Sequence, residues 1–359
     1  MSRAKAQTSD AELDSLAVFR KRINSFLDSY FTTEIRNAQN IDAHYGDLWQ
    51  IMYEVTQAGG KRLRPYLVLL GYAAAGGEAF SELIPAAAAQ ELLHQCLLIH
   101  DDIIDRDDIR HGVLNVTGRF KQIYHHADQA HYANSAAILA GDLLLSGVYQ
   151  MVNESTHEAS IKARIMQRIG EAMYSVGAGE LLDTESAMMP IGDTDALKIA
   201  RLKTASYSFV IPLLCGAEQA NANSTTMAGL REFGENLGIA YQLKDDLLGV
   251  FGDEQQTGKS SSGDIREGKH TLLMQLAVQR ATKAESQILQ AVLGNPQAAP
   301  ATIDHVRAIV LSSGAQDIVL QKIDDYLKRA TQATKTFSMS PQLSAAFEML
   351  LTQLHRRTA

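Results

Sequence analysis

At 359 residues the chain could hold two average domains or one large one, and it is long enough to bury a sizeable core. Hydrophobic residues make up 46% of it and prolines number only seven, which together with abundant Ala and Leu and few β-branched runs points to an all-α fold. A formal net charge of -8 excludes the basic surplus that binding along a nucleic-acid backbone requires, while leaving room for a small diphosphate held by a local cationic cluster or by metal carried on carboxylates.

The first ten residues read as a disordered terminus. Helical periodicity starts near Ala11, where Ser9 and Asp10 are placed to cap, and Leu13, Leu16, Phe19, Ile23 and Leu27 form one apolar stripe. The N-terminus lacks an apolar core of signal-peptide length, and no run of about 18 uninterrupted apolar residues occurs elsewhere, so a cytoplasmic protein that is not integral to a membrane is expected. The segment QAGGKRLRP, Gln57 to Pro65, punctuates sharply: Gly59 and Gly60 suit a helix end, Pro65 suits the first turn of the next helix, and cations fill the gap.

A long helix is expected through AAAAQELLHQCLLIHDDIID, with a break at Arg106 to Gly118. Helix resumes in NSAAILAGDLLLSGVYQMV, and further helices are expected over Ile161 to Leu182, Asp195 to Ala217 and Thr226 to Leu248, with amphipathic segments after Thr271. Phe251 to Gly268, rich in Gly, Ser and charge, reads as a mobile loop. Without repeats, low-complexity tracts or an obvious linker, residues 11–359 are expected to form a single helical domain. Cys96 and Cys215 sit in apolar stretches and read as buried, reduced thiols.

Two acidic clusters carry chemistry. In His100-Asp101-Asp102-Ile103-Ile104-Asp105 the first and last aspartates are four residues apart and share a helix face. Their mutual repulsion is relieved by a cation, and hard oxygen ligands on one face suit Mg²⁺ with positions left for phosphate oxygens and water. A second adjacent pair, Asp245 and Asp246, ends another apolar helical run in YQLKDDLLG. A lone DDxxD is usually a solvated helix end, but two such clusters after strongly apolar stretches raise the weight of metal binding.

In this order GGKRLRP, ELLHQCLLIHDDIID, AILAGDLLL, KTASYSF, YQLKDDLLGVFGD and TGKSSSGDIREGKHT resemble the trans-prenyl diphosphate synthases, or polyprenyl synthetases, from about Gly59 to Thr271. The resemblance implies a single large helical bundle around a central hydrophobic cavity, the type I isoprenoid synthase fold, acting as a homodimer. It implies an enzyme that joins isopentenyl diphosphate head to tail to an allylic diphosphate with Mg²⁺, three ions being held with diphosphate bound. By resemblance, Asp101 and Asp105 are metal ligands with Asp102 in support, and Asp245 plays the same part with Asp246 supporting. Gly249 stands where the fuller pattern has a third aspartate, with Asp253 the nearest acid beyond it.

Also by resemblance, Lys61, Arg64 and His94 bind isopentenyl diphosphate, and His111 replaces an arginine often found in that site. Cationic donors suit a diphosphate that must stay intact, because metal would also activate its leaving group. Arg110, Lys203, Lys259 and Lys269 would hold the allylic diphosphate, with Thr204 and Gln242 beside the reacting carbons. Cys96 and Leu97 resemble the floor of the product shaft, and the lack of a bulky aromatic there favours a geranylgeranyl (C20) product, with farnesyl (C15) next. Two other readings are a non-catalytic partner subunit, which tends to lose one acidic motif, and a class I terpene cyclase, which has no need of Lys61, Arg64 and His94.

Overall fold

A computed structural model of the chain describes residues 16–110, 112–252 and 262–356. Apart from a short antiparallel pairing of Ile109–Arg110 with Val113–Leu114, every regular element among the described residues is helical, as the composition requires. The chain divides into two compact units, passing from one to the other after Arg168, after Ile211 and after Asn223.

In the first unit the Leu16–Ile41 helix buries Phe19, Ile23, Leu27 and Phe31, spaced by four residues along one face, against the Ala43–Gln57 helix. Each fully buried large side chain of this kind contributes about 2 kcal/mol. The next helix starts at Leu63, so the break predicted around Gly59 and Gly60 stands. Gly60 is held at φ +113°, where a side chain is strained, and a Cβ there would also crowd Arg62 and Glu91.

The Ile84–Ile104 helix packs most extensively on Gln129–Glu154, with Ala86 to Ala89 fully buried so that neighbouring elements approach closely. Gln129–Glu154 is by length and composition apolar enough to cross a membrane, and half of its apolar window is buried inside the protein. The break after Asp105 is shorter and more ordered than the sequence reading implied. Asn115 accepts from Gly118 N at 2.8 Å and donates to Asp107 O at 2.7 Å, which starts a helix at Val116 and folds the hairpin back on the preceding helix end.

The expected helix from Asp195 to Ala217 is three pieces: Ala196–Ile199, a π-helical stretch Ala200–Val210, and Ile211–Gln219. Pro212, which has no N–H to give the preceding turn, lies where the wide turns give way to α-helix. Within the second unit two glycines let neighbouring helices close on this stretch: a Cβ at Gly179 would fall 2.5 Å from Lys203 N, and one at Gly238 2.5 Å from Ala205 Cα. The Ser224–Phe251 helix, which carries Gly238, also packs on Ala315–Ala333, and Phe233 meets Phe347 edge-to-face at 4.7 Å. The loop expected over Phe251 to Gly268 ends instead in a short helix, Gly263–Glu267, pinned by fully buried Ile265 and closed by Gly268 in the left-handed conformation.

Candidate active site

The Ile84–Ile104 helix delivers the first acidic cluster. Asp105 N still donates to Asp101 O at 2.8 Å, so the helical turn persists, and the two carboxylates bring oxygens within 4.8 Å of each other on a partly exposed face. Asp102 points the other way and is 3% exposed. Its carboxylate accepts from Arg110 Nε at 2.5 Å, while Arg110 Nη2 donates to Asp101 at 3.0 Å. Burial pushes the Asp102 carboxyl up to about 7 against the opposing pull of Arg110, and the charges of Asp101 and Asp107 add to the rise.

The cations of GGKRLRP separate by burial. Lys61 is exposed and Arg64 is partly buried, whereas Arg62 is 4% exposed, with φ at +52° and donor nitrogens on Glu91 at 2.7 Å, Asn24 at 2.8 Å and Thr56 O at 3.1 Å. Arg62 therefore builds the break, with Lys61 and Arg64 on either side of it. His94 lies partly buried three residues after Glu91 on the acidic helix. Farther along it Leu97 is partly buried and Cys96 is fully buried. Burial, and secondarily Asp142, pushes the Cys96 thiol up to about 12, so it is an inert packing residue. Cys96 and Cys215 are both buried, as expected, and both are free thiols.

The second acidic cluster belongs to the second unit. Lys203, on the π-helical stretch, pairs with Glu180 at 3.0 Å and Asp183 at 2.7 Å. Thr204 Oγ1 donates to Gln242 Oε1 at 2.5 Å, and Gln242 Nε2 donates to Asp246 at 2.8 Å, so the amide is fixed by its two neighbours. Asp245 is partly exposed beside it. The Asp246 carboxyl is raised well above the usual carboxylate range, first by burial and then by the nearby charges of Asp264, Asp245 and Asp183, with the Gln242 bond opposing. Lys269 pairs with Glu267 at 2.8 Å and lies 3.6 Å from Asp264. The expectations for His111, Asp253 and Lys259 fall outside the described residues.

Comparison with known proteins decides the family. The polyprenyl synthetase family model matches residues 47–310, most of the chain. The chain belongs to the polyprenyl synthetase family. A geranylfarnesyl diphosphate synthase from Aeropyrum pernix is 34% identical over 305 residues, 83% of this chain and 89% of that protein. A geranylgeranyl diphosphate synthase from Sulfolobus acidocaldarius is 31% identical over 324 residues, 88% and 93% of the two chains. The crystal structure of a geranylgeranyl pyrophosphate synthase from Corynebacterium glutamicum, complexed with isoprenyl diphosphate and magnesium, superposes with a TM-score of 0.88 at 31% identity, covering 96% of this chain and 99% of that one. This polyprenyl synthetase is accordingly an all-α prenyltransferase.

Two features of the polyprenyl synthetase were missed by sequence reasoning. Gly249 is more than a lost aspartate: a Cβ there would land on the Asp264 carboxylate, so an acid from the following segment fills the space in front of the helix. The signal was present in SSSGDIREGK, but only folding shows that Asp264 turns back toward Asp246. The second is the pair Glu180 and Asp183, which hold Lys203 and sit unmarked in the sequence GAGELLD.

Proposed function

We propose that this polyprenyl synthetase adds isopentenyl diphosphate head to tail to an allylic diphosphate, with geranylgeranyl diphosphate (C20) as main product and farnesyl (C15) next. The observation that carries the reading is the Asp101–Asp105 pair, two partly exposed carboxylates with oxygens within 4.8 Å at the end of an apolar helix. Like charges held so close repel unless a cation joins them, and their hard oxygens fit Mg²⁺. In the second unit Asp245, with Asp246 supporting it, supplies carboxylates of the same kind.

When bound, Mg²⁺ supplies neutralisation of the diphosphate charge as the C–O bond breaks. Arg110, Lys203, Lys259 and Lys269 hold the allylic diphosphate and take up its charge as it leaves. Thr204 and Gln242 direct fixed dipoles at the allylic cation, their orientation locked by the 2.5 and 2.8 Å bonds to one another and to Asp246. Lys61, Arg64, His94 and His111 keep isopentenyl diphosphate intact and aim its double bond at the cation. The departing diphosphate then accepts the proton lost from the new carbon chain. Apolar walls exclude the water that would trap the cation. Cys96 and Leu97 leave room for the growing tail, because neither is a bulky aromatic.

The same reading includes a homodimer in the cytoplasm. Exposed Ile138 and Leu139 on Gln129–Glu154 support an association surface on the first unit. The test is incubation of the purified protein with Mg²⁺, isopentenyl diphosphate and each allylic primer, followed by chain-length analysis. A C20 product is expected, and folded protein that condenses no primer would overturn the reading.

A further inference from the structure

Asp101 and Asp102 are adjacent, yet a helix turns about 100° per residue, so their carboxylates diverge. One is partly exposed and the other is 3% exposed, and a single guanidinium spans both. It does so with different nitrogens: Nε to Asp102 at 2.5 Å and Nη2 to Asp101 at 3.0 Å. Arg110 is not carried there by a flexible loop. Its strand pairs Ile109 with Leu114 and Arg110 with Val113, Asp107 N donates to Asp102 O at 2.9 Å, and Asn115 N donates to Asp108 O at 3.0 Å. The hairpin thus sets the arginine over the end of the acidic helix.

A buried carboxylate with a charge-assisted bond to Nε holds one edge of a rigid fork, leaving the other nitrogens to exchange partners. The bond to Asp101 is more exposed and is made to a carboxylate that a divalent ion also needs. We propose that Asp102 is the positioning residue for Arg110, and that Arg110 is the resident counter-cation of Asp101, displaced when that carboxylate accepts a divalent ion and then free to meet a diphosphate oxygen while Nε stays on Asp102. This rests on the function proposed above. It accounts for a buried aspartate inside a metal-binding motif, and it couples metal uptake to allylic diphosphate binding through a single side chain.

The arrangement makes an unusual demand of Arg110→Gln. Losing a cation from a diphosphate site weakens substrate, but here it also removes the competitor for Asp101. Titrating Mg²⁺ alone into the substrate-free protein by calorimetry should show Arg110→Gln binding the ion about tenfold more tightly than the parent, the scale of one partly buried ion pair no longer broken. Arg110→Lys, which keeps the charge but cannot fork across two carboxylates, should fall between them. Asp102→Asn, which loosens Arg110 without removing it, should raise KM for the allylic diphosphate more than it lowers kcat.

Thermal melts establish that each variant is folded, and the lysine variant carries the test if the glutamine one is not. Unchanged or weaker Mg²⁺ binding by folded Arg110→Gln, or by the lysine variant in its place, would overturn the proposal. So would an Asp102→Asn variant that loses kcat with KM unchanged. The two readings separate cleanly, since failure of the parent protein to condense any primer counts against the function, and the metal titration decides the role of Arg110 by itself.

Discussion

In the first unit each buried acid among the described residues is met by arginine: Glu91 by Arg62 at 2.7 Å, Asp102 by Arg110 at 2.5 Å, and Glu218 by Arg164 and Arg168 at 2.8 Å each. The second unit does the reverse around Asp246, which faces the charges of Asp264, Asp245 and Asp183, with the Gln242 amide as its hydrogen-bond donor. Arginine pairing holds a fold together without a ligand. Acid set against acid costs the substrate-free protein stability, a cost that a bound cation relieves, which supports the metal-binding role proposed for Asp245 and Asp246. The first motif combines both, with Asp102 anchored like a structural acid and Asp101 and Asp105 partly exposed.

The comparison breaks most easily at Glu91. Replacing it with Gln leaves the Arg62 guanidinium buried without its counter-charge, and denaturant unfolding should show a loss of about 3–5 kcal/mol. A loss below about 1 kcal/mol would mean that the pairing contributes little. Gly249→Ala comes next. Its Cβ meets the Asp264 carboxylate, and overpacking of this kind should lower stability by about 2 kcal/mol. If Asp264 swings away at no cost, melting will not move, and Asp264 is not a fixed part of the second cluster.

The smallest effect has the opposite sign. Asp246→Asn should stabilise the protein by about 1 kcal/mol in neutral buffer lacking divalent ions, because it removes one of several crowded negative charges. The folded-state pKa of Asp246 is raised, so the wild-type carboxyl takes up a proton as the pH falls, and the gain should shrink toward acid pH. A destabilised Asn variant at neutral pH would contradict the contrast drawn between the two units.

The helical class, the acidic helix ends and the glycine break were legible because each has a local cause: the 3.6-residue period, like charges one turn apart, and a positive φ at Gly60. Partnerships across long sequence separations were not. Arg62 and Arg64 look alike in GGKRLRP, and it is contacts with Asn24, 38 residues away, and Glu91, 29 residues away, that fix Arg62 in the break. Asp102 reads as one more acid of its motif until the hairpin places Arg110 upon it. The π-helical stretch was hidden because nothing in ARLKTASYSFV marks wide turns apart from ordinary helix. Gly249 read as a missing ligand because its occupant, Asp264, comes from a segment that sequence alone described as loop.

The proposed reaction needs both acidic clusters, and the most direct test is the condensation rate of Asp101→Ala and Asp245→Ala, measured separately with saturating Mg²⁺, isopentenyl diphosphate and allylic primer. Each should lose about a thousandfold or more in kcat while melting close to the parent. Either variant turning over at nearly the parental rate would show that its cluster is not part of the catalytic machinery.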